Sequence, residues 1–285
     1  MNTAWVIARH TFRECIRRRV FLIVPVVTVG FLGLFALGTY YAFDSTGGQI
    51  RNGPVFVDSN ELVGSTLVGL AMFVTLFLGS VLGIFLTFSA VRGDAEVGVL
   101  QQLVVRPVAR SGVLLGRFLG ACAICVTYVL ILYTGAALIV GTIGDWWPEP
   151  FLAPGLHLIL GVMLMIALTL LGSVFLTALP NGIVMFMVYG GGLLAGLLGQ
   201  LGEAINSPAL ETTGRITAWA LPFEAAYQSG LDSLTSRARG LTRVVVELGP
   251  LGGAQDGGPF LVAYALAYLV LAAGIAVWAF SRRDL

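Results

Sequence analysis

Six long apolar stretches constrain this chain more than any other feature of its sequence. They run at roughly 20–43, 62–90, 113–141, 154–179, 183–201 and 259–280. About 20 apolar residues cross the hydrocarbon core of a bilayer as a helix. A helix also satisfies its backbone polar groups internally, which a lipid environment demands. The expected fold is therefore an all-α membrane protein with six transmembrane helices. Composition agrees: 57% of residues are hydrophobic, 11% are charged and the mean hydropathy is +0.91. Soluble domains carry about 25% charged residues, so lipid must solvate most of this surface. The first stretch follows five Arg, as in a signal peptide, but it is too long for a signal core and no small-residue cleavage site follows. It is kept as a span.

The charges orient the spans. Positive residues collect on the cytoplasmic side of a membrane. With the N-terminus inside, the inner segments hold Arg9, Arg13, Arg17, Arg18, Arg19, Arg92, Arg106, Arg110, Arg117, Arg282 and Arg283 against Glu14, Asp94, Glu96 and Asp284. The outer segments hold the other five Arg and eleven acids, with four of those Arg in the long 202–258 segment, which the rule weighs least. Both termini are expected in the cytoplasm, and the membrane is expected to be a bacterial inner membrane.

Several chemistries are excluded. All sixteen cationic residues are Arg, and a Walker A loop needs a Lys to reach nucleotide phosphates, so ATP is not hydrolysed here by that route. Schiff-base chemistry on a Lys amine is excluded likewise. Cys122 and Cys125 form a C-x-x-C inside an apolar helix, where thiolates are disfavoured and small buried packing residues are the expected role. His10 and His157 are the only histidines, and neither is placed to serve a nucleophile. No ionisable residue falls near the middle of any of the six stretches. Ion-coupled carriers place charged groups at that depth, so active transport here would need an energy source on another chain.

Three segments lie outside the spans within one transmembrane domain, 1–285. Residues 1–19 form an amphipathic helix: Arg9, His10, Arg13, Glu14, Arg17 and Arg18 share one face, and Trp5, Ala8, Phe12, Cys15 and Ile16 the other. Such a helix lies in the membrane interface as an elbow. The segment 202–258 carries helical patches near 209–221, 223–234 and 241–248, too short and polar to span, expected to lie on the outer leaflet or dip into it. The loop 91–112 is cytoplasmic. It places Asp94 and Glu96 before Val97, Leu100, Leu103 and Val104 at helical spacing, and Pro107 ends the helix between Arg106 and Arg110. A short helix with charge at one end and apolar teeth suits a groove on another protein.

At this loop the sequence resembles a known family. Glu96, Gly98, Leu100 and Leu103, then Arg106, Pro107, Val108 and Arg110, then Gly116 and Arg117, are similar to the pattern E-x-G-T-L-x-x-L, P-[VL]-x-R, G-K of ABC-2 type permease subunits. Val99 stands where Thr is common, and Arg117 where Lys is. The run Leu221 to Tyr227, with Leu248 to Gly253, looks most like the subfamily containing the nitrous-oxide-reductase maturation permease. The resemblance implies the type V exporter fold. It implies a permease subunit without catalytic residues, cofactor or metal of its own, with ATP bound by a separate ATP-binding subunit. It implies a second copy or a paralogous permease as partner within the bilayer, with no nucleic acid. It places Asp94, Glu96, Gly98, Leu100, Leu103, Arg106, Pro107 and Arg110 at the ATPase, and a tight turn at Pro180, Asn181 and Gly182 as a smaller second contact. The alternative is a passive channel or carrier that uses no ATP.

Overall fold

The computed structural model describes residues 20–46, 59–91, 110–235 and 257–282. The expected elbow helix, nearly all of the 91–112 loop and the patch at 241–248 lie outside the described residues. Every regular element among the described residues is a helix: α1 Val20–Thr46, α2 Ser59–Thr87, α3 Arg110–Gly144, α4 Leu152–Phe175, α5 Ala178–Ala204, α6 Pro208–Ala220, α7 Pro222–Thr235 and α8 Leu261–Ser281. Six of these, α1 to α5 and α8, are long and apolar enough to cross a membrane. They match the six apolar stretches in number and order. Their connections make neighbours alternate in direction. One end of the bundle therefore gathers the ends of α1, α3 and α5, and the other gathers the ends of α2, α4 and α8. The first is called the hairpin end below, and the second the loop end.

The centre of the bundle is α4. Its buried residues include Leu158, Gly161, Leu164, Met165, Ala167, Leu170 and Val174, which together occupy all sides of the helix. A helix that is apolar all round belongs in a core, and α4 packs against α2, α3, α5, α7 and α8. On α2, Gly79 and Gly83 open the surface to it: a Cβ at Gly79 would meet Val162, and one at Gly83 would meet Ile166. The small residues thus allow two helices to approach closely, as membrane interfaces require. At the margin, α1 packs on α3 and α2, with Leu32 seated over Gly135, and most of its span is exposed.

Polar side chains inside the spans are mostly absorbed locally. Thr39, Thr75, Thr87 and Thr169 are fully buried, and each donates its hydroxyl to the carbonyl four residues earlier, at 2.7–2.8 Å. This is the standard refuge for a hydroxyl in a helix that has no water to turn to. Cys122 and Cys125 are buried within α3 and form no disulfide, in keeping with a packing role.

Among the described residues, two short helices between α5 and α8 form a hairpin that folds back into the bundle. The chain reverses after α5 through Asn206, whose φ of 52° is left-handed, a conformation Asn tolerates better than most residues. Pro208 then opens α6 at its first turn, where its missing N–H is not needed. Along α5, Gly192, Gly196, Gly199 and Gly202 recur at the spacing of one helix face. A Cβ at Gly202 would meet Leu210 and Glu211, and one at Gly214 of α6 would overlap Gly199. One turn lower, Gly196 faces Glu224 and Gln228, and Gly192 faces Phe223, all on α7. So α6 descends along α5, the chain turns at Leu221, and α7 climbs back along α4. The tip also lies against Gly161 of α4 through the Phe223 carbonyl. Gly161 is nine residues from the start of α4, so the tip sits about 14 Å along that helix from its start.

Candidate coupling site

The residues expected at the ATPase fall into two groups. Asp94, Glu96, Gly98, Leu100, Leu103, Arg106 and Pro107 lie outside the described residues. Arg110 opens α3. The base on which that loop stands is described in full. After α2 the chain makes a turn over 88–91, with Ala90 N–H donating to Thr87 O at 3.1 Å and with Ala90 and Val91 buried. Carbonyls at the end of a helix have no partner within it. Two side chains from other helices meet those of this turn.

Arg117, two turns into α3, donates from Nη1 to Ala90 O at 2.6 Å. A cation at the negative end of a helix is also favoured by the helix dipole. Asn181, from α5, donates from Nδ2 to Phe88 O at 2.9 Å and to Thr169 O of α4 at 3.0 Å. Room for its side chain comes from Gly172, where a Cβ would overlap Asn181 Oδ1. The start of the loop is thereby fastened to α3, α4 and α5 within four residues of chain.

This corrects the expected turn at Pro180, Asn181 and Gly182. The break between the fourth and fifth spans is at Leu176 and Thr177: Leu176 is extended, with φ −108° and ψ 151°, and α5 already begins at Ala178. Pro180 reads as a breaker, yet it stands in the first turn of α5, where the N–H it lacks would have had no partner. Pro180 is exposed, but Asn181 is fully buried and holds helices together from inside.

A second correction concerns charge. None of the six apolar stretches carries an ionisable group near its middle, but the hairpin buries one among the helices from outside the spans. Glu224 stands in the first turn of α7 beside Gly196, at the buried tip. Gly192 and Gly196 form a G-x-x-x-G pair of the kind that lets helices approach closely, and this chain's own hairpin fills it. Two tyrosines of α8 hold the same structure from the other side: Tyr264 donates its hydroxyl to Trp219 O, and Tyr268 donates to Ala220 O at 3.1 Å, capping the otherwise open carbonyl end of α6. The helical patches at 209–221 and 223–234 are the two arms of this hairpin, and the glycine spacing on α5 is the sequence sign of where it docks. Among the described residues, no three His, Cys, Asp or Glu side chains gather as a metal site would require.

The comparisons with known proteins agree with this architecture. The chain is 29% identical over 182 residues to the protein named probable ABC transporter permease protein NosY of Stutzerimonas stutzeri, covering 62% of this chain and 57% of that one. It is 29% identical over 138 residues to the protein of the same name from Pseudomonas aeruginosa, covering 48% and 46%. The chain thus spans about half the length of these curated relatives. The family described as ABC-2 family transporter protein matches residues 5–285. With six spans, an all-helical bundle and that match over nearly its whole length, the chain belongs to the ABC-2 family of transporter permeases.

Proposed function

We propose that this chain is the membrane half of an ATP-driven exporter, powered by a separate ATP-binding subunit that docks on the 91–112 loop. Its loop end and both termini face the cytoplasm, its hairpin end faces outward, and a second copy or a paralogous permease completes the path across a bacterial inner membrane. The observation that carries this reading is the fastening of the loop's base. Force delivered to the loop passes through Ala90 to Arg117 on α3 and through Phe88 to Asn181 on α5. From there it reaches α4 through Thr169. A solvated connector has no need of such anchors, whereas a handle does. The sixteen cations are all Arg and no nucleotide-binding Lys exists in the chain, which is consistent with a motor on another polypeptide.

The test is to replace Glu96 or Leu100 by Arg in the chain expressed with its ATP-binding subunit. Each change should abolish co-purification of the two subunits, or leave them bound with ATPase activity no longer responsive to the permease. If both variants keep binding and stimulated activity, the loop is not the coupling element. Flux through the purified chain alone in vesicles, without ATP, would instead favour the passive channel.

A further inference from the structure

The tip of the hairpin buries a carboxyl among groups that have nothing to bond with. Glu224 is 2% exposed. Its Oε1 accepts from Gln228 Nε2 at 3.1 Å, and its Oε2 has no hydrogen-bond partner. The hydroxyls of Tyr189 on α5, 4% exposed, and Tyr227 on α7, 0% exposed, have none either. Both lie within electrostatic reach of the carboxyl. Aromatic rings close the site: Tyr189 stacks on Phe223 at 5.6 Å between centroids, and Tyr227 meets Phe73 edge-on at 6.3 Å. On the far side of Gln228 is a cavity of about 260 Å³, lined by Gly196, Ala225 and Gln228, with Glu211, Arg215 and Tyr264 across it.

We propose that Glu224 is a proton-binding site inside the membrane, protonated while the hairpin is seated against α5 and ionised when the hairpin moves away. The carboxylate form would hold a bare charged oxygen in an apolar setting with one amide donor, which is costly. The neutral acid avoids that charge and gains an O–H to donate. When the hairpin shifts, the proton passes from the carboxyl to water entering by the cavity, leaving carboxylate and hydronium. The site stands independently of how the chain is powered, because none of its residues touches the loop base.

Burial disfavours the charged form of the Glu224 carboxyl, and the Gln228 amide opposes this by donating to it at 3.1 Å. Among the described residues, few other titratable or charged groups lie near it. Tyr189 faces it from α5 and Tyr227 from α7; Glu211, Arg215 and Tyr264 stand across the cavity. From α2 and α4 the cluster meets Phe73, Phe77 and Gly161, and His157 of α4 lies against Gly230, farther along α7. A displaced, hydrated Glu ionises near about 4.3. The seated state therefore binds a proton that the displaced state does not. Its added stability is complete below about pH 4 and is lost as pH rises through the pKa of the seated carboxyl.

Hydrogen exchange of the full chain in lipid nanodiscs tests this, read on peptides covering 208–235 and corrected for intrinsic exchange. In the native chain, opening should rise about tenfold per pH unit above about pH 5 until the seated carboxyl itself ionises, and then level off. In Glu224→Gln, which keeps the shape and cannot ionise, the profile should be flat. Infrared spectra of the same samples should show a protonated carboxylic acid band that fades as pH rises and is missing from Glu224→Gln. Identical exchange profiles in the two proteins, or an ionised Glu224 throughout the range, would overturn the proposal. Should Glu224→Gln fail to fold, Gln228→Leu decides by the infrared band alone: losing the amide donor must move the titration to higher pH, and no shift or a downward one counts against the site.

Discussion

Replacing Asn181 by Asp changes almost no volume but removes the donor that joins three helices. The native amide donates to Phe88 O and Thr169 O from one nitrogen, and the side chain is fully buried. A carboxylate in its place would face two carbonyl oxygens with a negative charge, so the introduced group must take up a proton. Holding an aspartic acid neutral at pH 7 costs about 4 kcal/mol, given an ordinary pKa of about 3.9 and 1.36 kcal/mol per unit. Once neutral it has a single O–H, so one of the two hydrogen bonds is still lost, about 1 kcal/mol more. The deficit should be about 5 kcal/mol at pH 7 and shrink to about 1 kcal/mol near pH 4. The sign follows from the raised pKa of the folded form: stability is present in acid and lost as pH rises. Asn181→Ala behaves differently. It loses both hydrogen bonds, about 2 kcal/mol, and leaves a small void worth about 1 kcal/mol, with no dependence on pH. The two variants should therefore exchange rank. Denaturant unfolding in one detergent, each variant compared with the native chain at the same pH, measures this. If alanine and aspartate keep the same order at both pH values, or if Asn181→Asp is as stable as the native chain at pH 7, Asn181 is not the staple described above.

Two further outcomes concern the hairpin. Gly196→Ala places a Cβ 2.5 Å from Glu224 Oε1 and 2.7 Å from Gln228 Nε2 and should destabilise the chain by about 1–3 kcal/mol. Gly190→Ala on the same helix has nothing within 4 Å and should be neutral or stabilising by up to about 1 kcal/mol; equal melting of the two would remove the glycine face from the account. Tyr268→Phe and Tyr264→Phe each delete one donor to the carbonyl end of α6, and each should cost about 0.5–1.5 kcal/mol, read as faster hydrogen exchange confined to 208–220.

The spans were legible because a bilayer sets a minimum length for an apolar helix, and six runs exceed it. Their ends were less so. Pro180 carries the same breaker signal at a helix's first turn as beyond its last, and only the placement of Leu176 separates the two. The hairpin was half legible: 209–221 and 223–234 showed helical patterning, but depth is not written in a helix of 13 or 14 residues. It is set by the glycine face of α5, which the sequence offers equally to a partner or to the chain itself. Glu224 was hidden for the same reason, since a search along the spans passes over a charge delivered from between them. The anchoring role of Asn181 could not be read at all. Its acceptors are backbone carbonyls, one of them 93 residues away, and a carbonyl has no residue type to betray it.

The unbroken length of α3 bears on how small movements travel. Its 35 residues make a rod about 52 Å long, well beyond the hydrocarbon thickness of about 30 Å, so it either tilts or stands clear of the bilayer. A rod of that length acts as a lever. A swing of about 5° moves one end by about 4.5 Å relative to the other, close to the width of a helical turn. Its far end is keyed by Trp147 over Gly141 and Phe43 over Gly144, so a displacement introduced near Arg110 arrives there as a change in how aromatic rings sit on glycines.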